Sequence, residues 1–199
     1  MRMLDLFSGL GGASEAFLQA GWDVTRYDNN ELLKDVPNTT IIDLLDPSFE
    51  YWDDGPFDFI WASPPCLEFS QGYNAPRMKA KREGIDFEPN MNLIVKSVEI
   101  ISYFQPKYWV IENVKGSVPY ITKALGKPPR QIVTDSLNGP FFFWGVFPYI
   151  CLDRNFKHTK DDNIEDYKLK SQYRAKIPLE ISQAFLAEVT DQTTLKEWY

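Results

Sequence analysis

The sequence is short of the residues that many catalytic and scaffolding chemistries need. It has one histidine, His158, among its 199 residues. Mechanisms that require two imidazoles are therefore excluded. There are two cysteines, Cys66 and Cys151. They supply neither a four-thiolate zinc site nor a disulfide scaffold, so no metal centre is expected. This cysteine usage points to a reducing cytoplasm, where a lone thiol is available as a nucleophile. An excess of positive charge is also missing. Lys and Arg total 21 against 28 Asp and Glu, a formal net charge of −7. A basic protein that coats nucleic acid is excluded on that balance, but an enzyme that meets nucleic acid through one local patch is not. No apolar run approaches the ~20 residues that span a bilayer. Asp5 interrupts the stretch that a signal peptide would keep apolar, so no leader and no membrane partner are expected. His158 sits in the polar stretch 156–162 and reads as a solvated loop residue.

The chain does have ample core material, being 44% hydrophobic and 15% aromatic. Its length suits one domain over residues 1–199. Short apolar runs at 3–7, 22–27, 39–42, 57–62 and 107–111 read as strands. Residues 13–20 and 92–104 carry helical spacing between them. Such alternation predicts an α/β fold with a mostly parallel sheet covered on both faces. The order changes after Val114. Residues 131–136 and 141–147 read as two further strands joined by Asn138-Gly139-Pro140, a hairpin signal. Residues 151–172 read as an exposed loop, and 178–189 as a closing amphipathic helix with Ile181, Phe185 and Val189 on one face.

The first candidate site lies where strand 3–7 meets the glycines of Asp5-Leu6-Phe7-Ser8-Gly9-Leu10-Gly11-Gly12. A strand–glycine–helix passage lets a cofactor approach the backbone, although a tight turn without a ligand has the same signature. About 20 residues on, Asp28 and Asn29 follow the second strand, where a carboxylate commonly meets ribose hydroxyls. The alternative for Asp28 is a cap on a short helix at Glu31 and Leu32, with the ribose role favoured. Asp43 and Leu44 follow the third strand. Ligands of open α/β sheets bind at these carboxyl ends.

The second candidate follows strand 57–62, in Ser63-Pro64-Pro65-Cys66. Two prolines fix the backbone and present the thiol just past the strand. Strand 107–111 ends in Glu112-Asn113-Val114. If the two strands are neighbours, a thiolate nucleophile and a carboxyl group stand together, a pair suited to covalent catalysis.

Taken together these motifs resemble the S-adenosylmethionine-dependent cytosine-5 methyltransferases. Asp5-to-Gly12 is similar to the family's cofactor motif, Pro64-Pro65-Cys66 to its Pro-Cys motif, and Glu112-Asn113-Val114 to its Glu-Asn-Val motif. Arg174-Ala175-Lys176-Ile177-Pro178 is similar to its last motif, which packs beside the cofactor. The resemblance implies a Rossmann-like class I methyltransferase fold with a C-terminal hairpin and closing helix. It implies S-adenosyl-L-methionine held by Asp5, Phe7, Ser8, Gly9, Gly11, Gly12, Asp28, Asn29, Asp43, Leu44 and Pro64. Cys66 would add to C6 of a flipped cytosine and Glu112 would hold N3 and the exocyclic amine. Pro65 and Asn113 would shape the pocket. Residues 63–90 would form the mobile catalytic loop, with Ser70, Arg77, Lys79, Lys81 and Arg82 meeting phosphate. The implied setting is a prokaryotic cell or a phage-infected host.

The resemblance also has gaps. No Gln-x-Arg-x-Arg stretch follows the glutamate motif. The corresponding place holds the aromatic run 141–147, read as strand and core rather than as a base-stacking platform. Only residues 151–172 stand where the family inserts a target-recognition region. DNA is the expected partner. RNA or a free cytosine nucleotide is an alternative substrate, and a second protein could supply recognition.

Overall fold

The computed structural model describes residues 1–49, 55–135, 139–152, 156 and 167–194. Seven strands form one sheet: β1 (Arg2–Leu6), β2 (Asp23–Asp28), β3 (Thr39–Ile41), β4 (Phe59–Ala62), β5 (Tyr108–Asn113), β6 (Gln131–Asp135) and β7 (Gly139–Val146). Their order is β3-β2-β1-β4-β5-β7-β6. β1 to β5 run parallel, while β7 pairs antiparallel with both β5 and β6. The order reverses between β1 and β4, which opens a crevice at the carboxyl ends of those two strands.

Helices cover both faces, and strand periodicity decides which residue faces which. Met3, Phe59, Trp61 and Val110 join one core with Phe17 of α1 (Glu15–Gln19) and Ile181, Phe185 and Val189 of α6 (Leu179–Thr194). Leu4, Leu6, Ile60, Ala62 and Ile111 join the other, with Ile94 and Ile100 of α3 (Asn92–Phe104) and Ile121 of α4 (Val118–Leu125). Adjacent residues point to opposite faces and both faces are buried, hence the nearly continuous apolar strands. Phe185 is the hub of the first core, with ring centroids 4.8 Å from Trp61, 5.2 Å from Phe147 and 5.3 Å from Phe143. The aromatic run of β7 is therefore core, since Phe142, Phe143 and Trp144 are all buried.

Ser182, fully buried on α6, ties that helix to the entry of α1. Its hydroxyl donates to the Ala13 carbonyl at 2.7 Å and accepts from the Ala16 amide at 3.1 Å. The end of the chain is thereby brought beside the glycine turn at its start.

Several sequence-based boundaries need correction. The first helix is shorter than 13–20, because the chain is still turning through residues 9–14. Helix α2 (Pro76–Glu83) lies within residues 63–90, which the resemblance makes the catalytic loop, and α4 occupies a stretch to which the sequence pattern assigns no element. Residues 151–172 are not wholly a loop. Tyr167–Leu169 forms a 3-10 turn and Lys170–Ala175 forms α5. His158 and most of that stretch lie outside the described residues, as does Asn138. Gly139 and Pro140 belong to β7 itself rather than to the turn before it.

Candidate active site

β1 ends in a change of backbone hand. Phe7 has φ +59°, a left-handed conformation that is costly for a residue with a Cβ and that clusters at ligand sites. The turn is pinned to β2. Ser8 N–H donates to the Tyr27 carbonyl at 3.1 Å, and Gly9 N–H donates to Asp28 Oδ2 at 2.9 Å. The other oxygen of Asp28 accepts from Asn30 N–H at 3.0 Å. Asp28 thus braces the turn. Asn30, not Asp28, caps the 3-10 helix Glu31–Leu33, accepting from Leu32 N–H at 3.1 Å.

The glycines answer to protein packing. A Cβ on Gly11 would lie 2.5 Å from Arg26 Cζ, and one on Gly12 would lie 2.4 Å from the Ile177 carbonyl oxygen. A Cβ on Gly9 would come within 3.1 Å of Gln172 Oε1 on α5. The turn is therefore sandwiched between the buried guanidinium and residues 172–177. Lys176 adds an ion pair to Glu15 at 2.7 Å. The segment similar to the family's last motif does stand against the glycine turn.

Beneath the turn is a buried polar network that the sequence reading overlooked. Arg26, only 3% exposed, donates from Nε to Ser14 Oγ at 2.8 Å, from Nη1 to the Pro37 carbonyl at 2.9 Å and from Nη2 to the Gly11 carbonyl at 3.2 Å. Ser14 Oγ donates in turn to Asp5 Oδ2 at 2.5 Å. Burial pushes the Asp5 carboxyl up from 3.8 to about 6; the Ser14 hydrogen bond and Arg26 pull it down, and Asp28 adds to the rise. Burial likewise lowers the pKa of Arg26, against the pull of Asp5 and Glu15. The missed signal was an arginine inside the apolar strand 22–27, since a buried cation requires acceptors. Asp5 Oδ1 and Ser8 Oγ are buried with no protein partner.

On the other side of the crevice, β4 and β5 pair in register, with Ala62 opposite Ile111. The chain beyond Ala62 and the side chain of Glu112 therefore emerge at one edge. Asn113, 1% exposed, donates from Nδ2 to the Pro64 carbonyl at 2.9 Å. Ser63 N–H donates to the Leu6 carbonyl at 3.2 Å, which joins this segment to the end of β1. After Cys66 the chain coils. The Cys66 carbonyl accepts from Phe69 N–H at 3.0 Å and from Ser70 N–H at 2.9 Å. Cys66, Glu112 and Ser70 are half-buried, Pro64 is buried and Pro65 is exposed.

Of the other sequence candidates, Asn29 and Asp43 are exposed and Leu44 is buried. The Asp43 carboxylate accepts from Leu45 N–H at 2.9 Å, closing a local turn after β3. The basic set divides. Lys79, Lys81 and Arg82 are exposed on α2. Arg82 lies 4.1 Å over the Tyr73 ring and donates to its carbonyl at 2.8 Å. Arg77 turns inward and donates to the Gly116 carbonyl at 3.2 Å. No cluster able to hold a metal ion occurs among the described residues.

The strand order with its antiparallel β7, the glycine turn and the two strand-end motifs define a Rossmann-like class I methyltransferase fold. The family model for C-5 cytosine-specific DNA methylases matches residues 1–119, and the chain belongs to that family. It is 34% identical over 123 residues to a protein of Frog virus 3 (isolate Goorha) named "Probable DNA (cytosine-5)-methyltransferase", covering 57% of this chain and 53% of that one. It is 30% identical over 156 residues to the type II methyltransferase M.DdeI of Desulfomicrobium norvegicum, covering 71% and 33%. It is 29% identical over 128 residues to the human tRNA (cytosine(38)-C(5))-methyltransferase, covering 58% and 31%. The chain thus spans from about a third to about half the length of these relatives.

Proposed function

We propose that the chain transfers a methyl group from S-adenosyl-L-methionine to C5 of cytosine in DNA, through a covalent adduct at Cys66. The observation that carries this reading is the 2.9 Å hydrogen bond from Asn113 to the Pro64 carbonyl, which joins the nucleophile segment to the strand that carries Glu112. The glycine turn adjoins that pair across the crevice. Its unpartnered Asp5 Oδ1 and Ser8 Oγ and the left-handed Phe7 fit an adenosyl-amino-acid ligand bearing hydroxyl and ammonium donors. Asp5, Ser8, Gly9, Asp28 and Phe7 would hold it. When bound, it supplies an electrophilic methyl group.

Cys66 acts as a thiolate. Its sulfur bonds to C6 of the cytosine, which places electron density on C5 and lets C5 take the methyl group. Glu112 donates to N3 and accepts from the exocyclic amine, so it offsets the charge that the addition pushes into the ring. A solvent base then takes the C5 proton, and the electrons of that C–H bond return to the ring and expel the thiolate. The base must leave the helix to be reached, a cost of a few kcal/mol. Lys79, Lys81 and Arg82, with Ser70 nearer the thiol, are the candidate phosphate contacts on this net-negative chain.

The human relative's name supports a second reading, the same chemistry on RNA. Both are tested by supplying methyl-labelled cofactor with duplex DNA, single-stranded DNA, transfer RNA and dCMP in parallel. Label should appear as 5-methylcytosine in duplex DNA and vanish with Cys66→Ala. Label confined to RNA or nucleotide would overturn the substrate, and undiminished transfer by Cys66→Ala would overturn the mechanism.

A further inference from the structure

We infer that Arg77 is a positioning residue: it latches the segment that follows Cys66 onto the exit of β5, and does not itself meet phosphate. The inference rests on the catalytic reading above. Its grounds are four contacts converging on the turn after Glu112-Asn113-Val114 and on the helix that follows it. The Arg77 guanidinium donates from Nη1 to the Gly116 carbonyl at 3.2 Å and lies 5.9 Å from the centroid of the Tyr120 ring on α4. Phe69, 2% exposed, packs its ring 5.9 Å from the same Tyr120. A Cβ on Gly116 would fall 1.9 Å from the Phe69 carbonyl oxygen, so loop backbone lies directly on the glycine.

These contacts complete a pair. Upstream of the thiol, Asn113 holds the Pro64 carbonyl. Downstream, Phe69 and Arg77 hold residues 69–77 to Gly116 and Tyr120. Cys66 sits between two attachments to one structural unit, the end of β5 and the turn after it. Glu112 belongs to the same unit. The latch thereby fixes the nucleophile relative to the acid from both sides. α2 needs such an anchor, because the helix that begins at Pro76 has no buried residue of its own. An eight-residue helix without a packed face is marginal in water.

The test uses the whole chain in a Cys151→Ser background, so that Cys66 is the only thiol. Alkylation of Cys66 by iodoacetamide is followed by intact mass, without cofactor or DNA, for Arg77, Arg77→Lys and Arg77→Met. Arg77→Met should raise the alkylation rate about tenfold, the factor expected from losing a hydrogen bond to a charged donor. Arg77→Lys, which keeps one donor and the charge, should fall between. Gly116→Ala should raise the rate as well while leaving Arg77 in place. In methyl transfer, Arg77→Met should lower kcat and leave the KM for nucleic acid within about twofold. An unchanged alkylation rate, or a raised KM with kcat intact and a shallower salt dependence, would overturn the latch in favour of a phosphate contact. If the unsubstituted chain transfers methyl to no substrate, the catalytic reading falls, and the alkylation rates still decide whether the latch exists.

Discussion

The glycine turn and the Cys66 segment leave neighbouring strands at the same edge of the sheet, yet different forces hold them. The turn rests on buried charge: Asp5, Ser14 and Arg26 form a chain beneath it, and Asp28 braces it from β2. The Cys66 segment rests on carbonyl acceptors and packing, from Asn113 to Pro64, from Arg77 to Gly116, and from Phe69 to Tyr120. The first arrangement is costly to desolvate and sensitive to pH. The contacts described for the second involve no carboxylate. One edge thus sets a buried charge network beneath the glycine turn against a hydrogen-bonded and packed clamp beside Cys66.

The sharpest way to break this contrast is Arg26→Met. It leaves Asp5 buried beside Ser14 with no cation and frees the Gly11 and Pro37 carbonyls. The expected destabilisation is about 3–5 kcal/mol, read from denaturant unfolding. A loss below about 1 kcal/mol would mean that the network contributes little.

A smaller effect follows from the raised pKa of Asp5. Below about pH 3 the folded and unfolded chains both carry its proton. As pH rises toward 6 the unfolded chain ionises first, because the folded carboxyl holds its proton to about 6. Stability from this group is therefore lost as pH rises through that window, by about 3 kcal/mol. Asp5→Asn should remove this fall, so the stability difference between the two proteins should change by that amount between about pH 4 and pH 6.5. Parallel curves would contradict the assignment.

The parallel half of the sheet was legible because strands buried on both faces spell continuous apolar runs. The expected 57–62 and 107–111 correspond to Phe59–Ala62 and Tyr108–Asn113. The helix expected at 92–104 matches Asn92–Phe104, whose buried Ile94, Ser97, Ile100 and Ile101 keep helical spacing. Helix α2 was illegible for the opposite reason: Arg77 to Glu83 carries no apolar face, so periodicity has nothing to register. Helix α4 is short and opens Val118-Pro119, with the proline in the first turn, where its missing N–H costs nothing. In the site, the strand-end motifs could be read because a glycine turn and a Pro-Pro-Cys stretch past a strand have local signatures. Arg26 and Arg77 could not be assigned that way. Their roles depend on carbonyls 11 and 39 residues distant, at Pro37 and Gly116.

The most direct measurement of the central claim is covalent. Duplex DNA containing 5-fluorocytosine offers C6 to the thiol, but after methyl transfer it has no C5 proton to lose, so elimination stops. The account predicts a denaturation-resistant protein–DNA complex in the presence of S-adenosyl-L-methionine, with the modified peptide mapping to Cys66 and no complex from Cys66→Ala. A complex formed equally by Cys66→Ala would contradict the account, as would no complex from a chain that binds both the cofactor and the DNA.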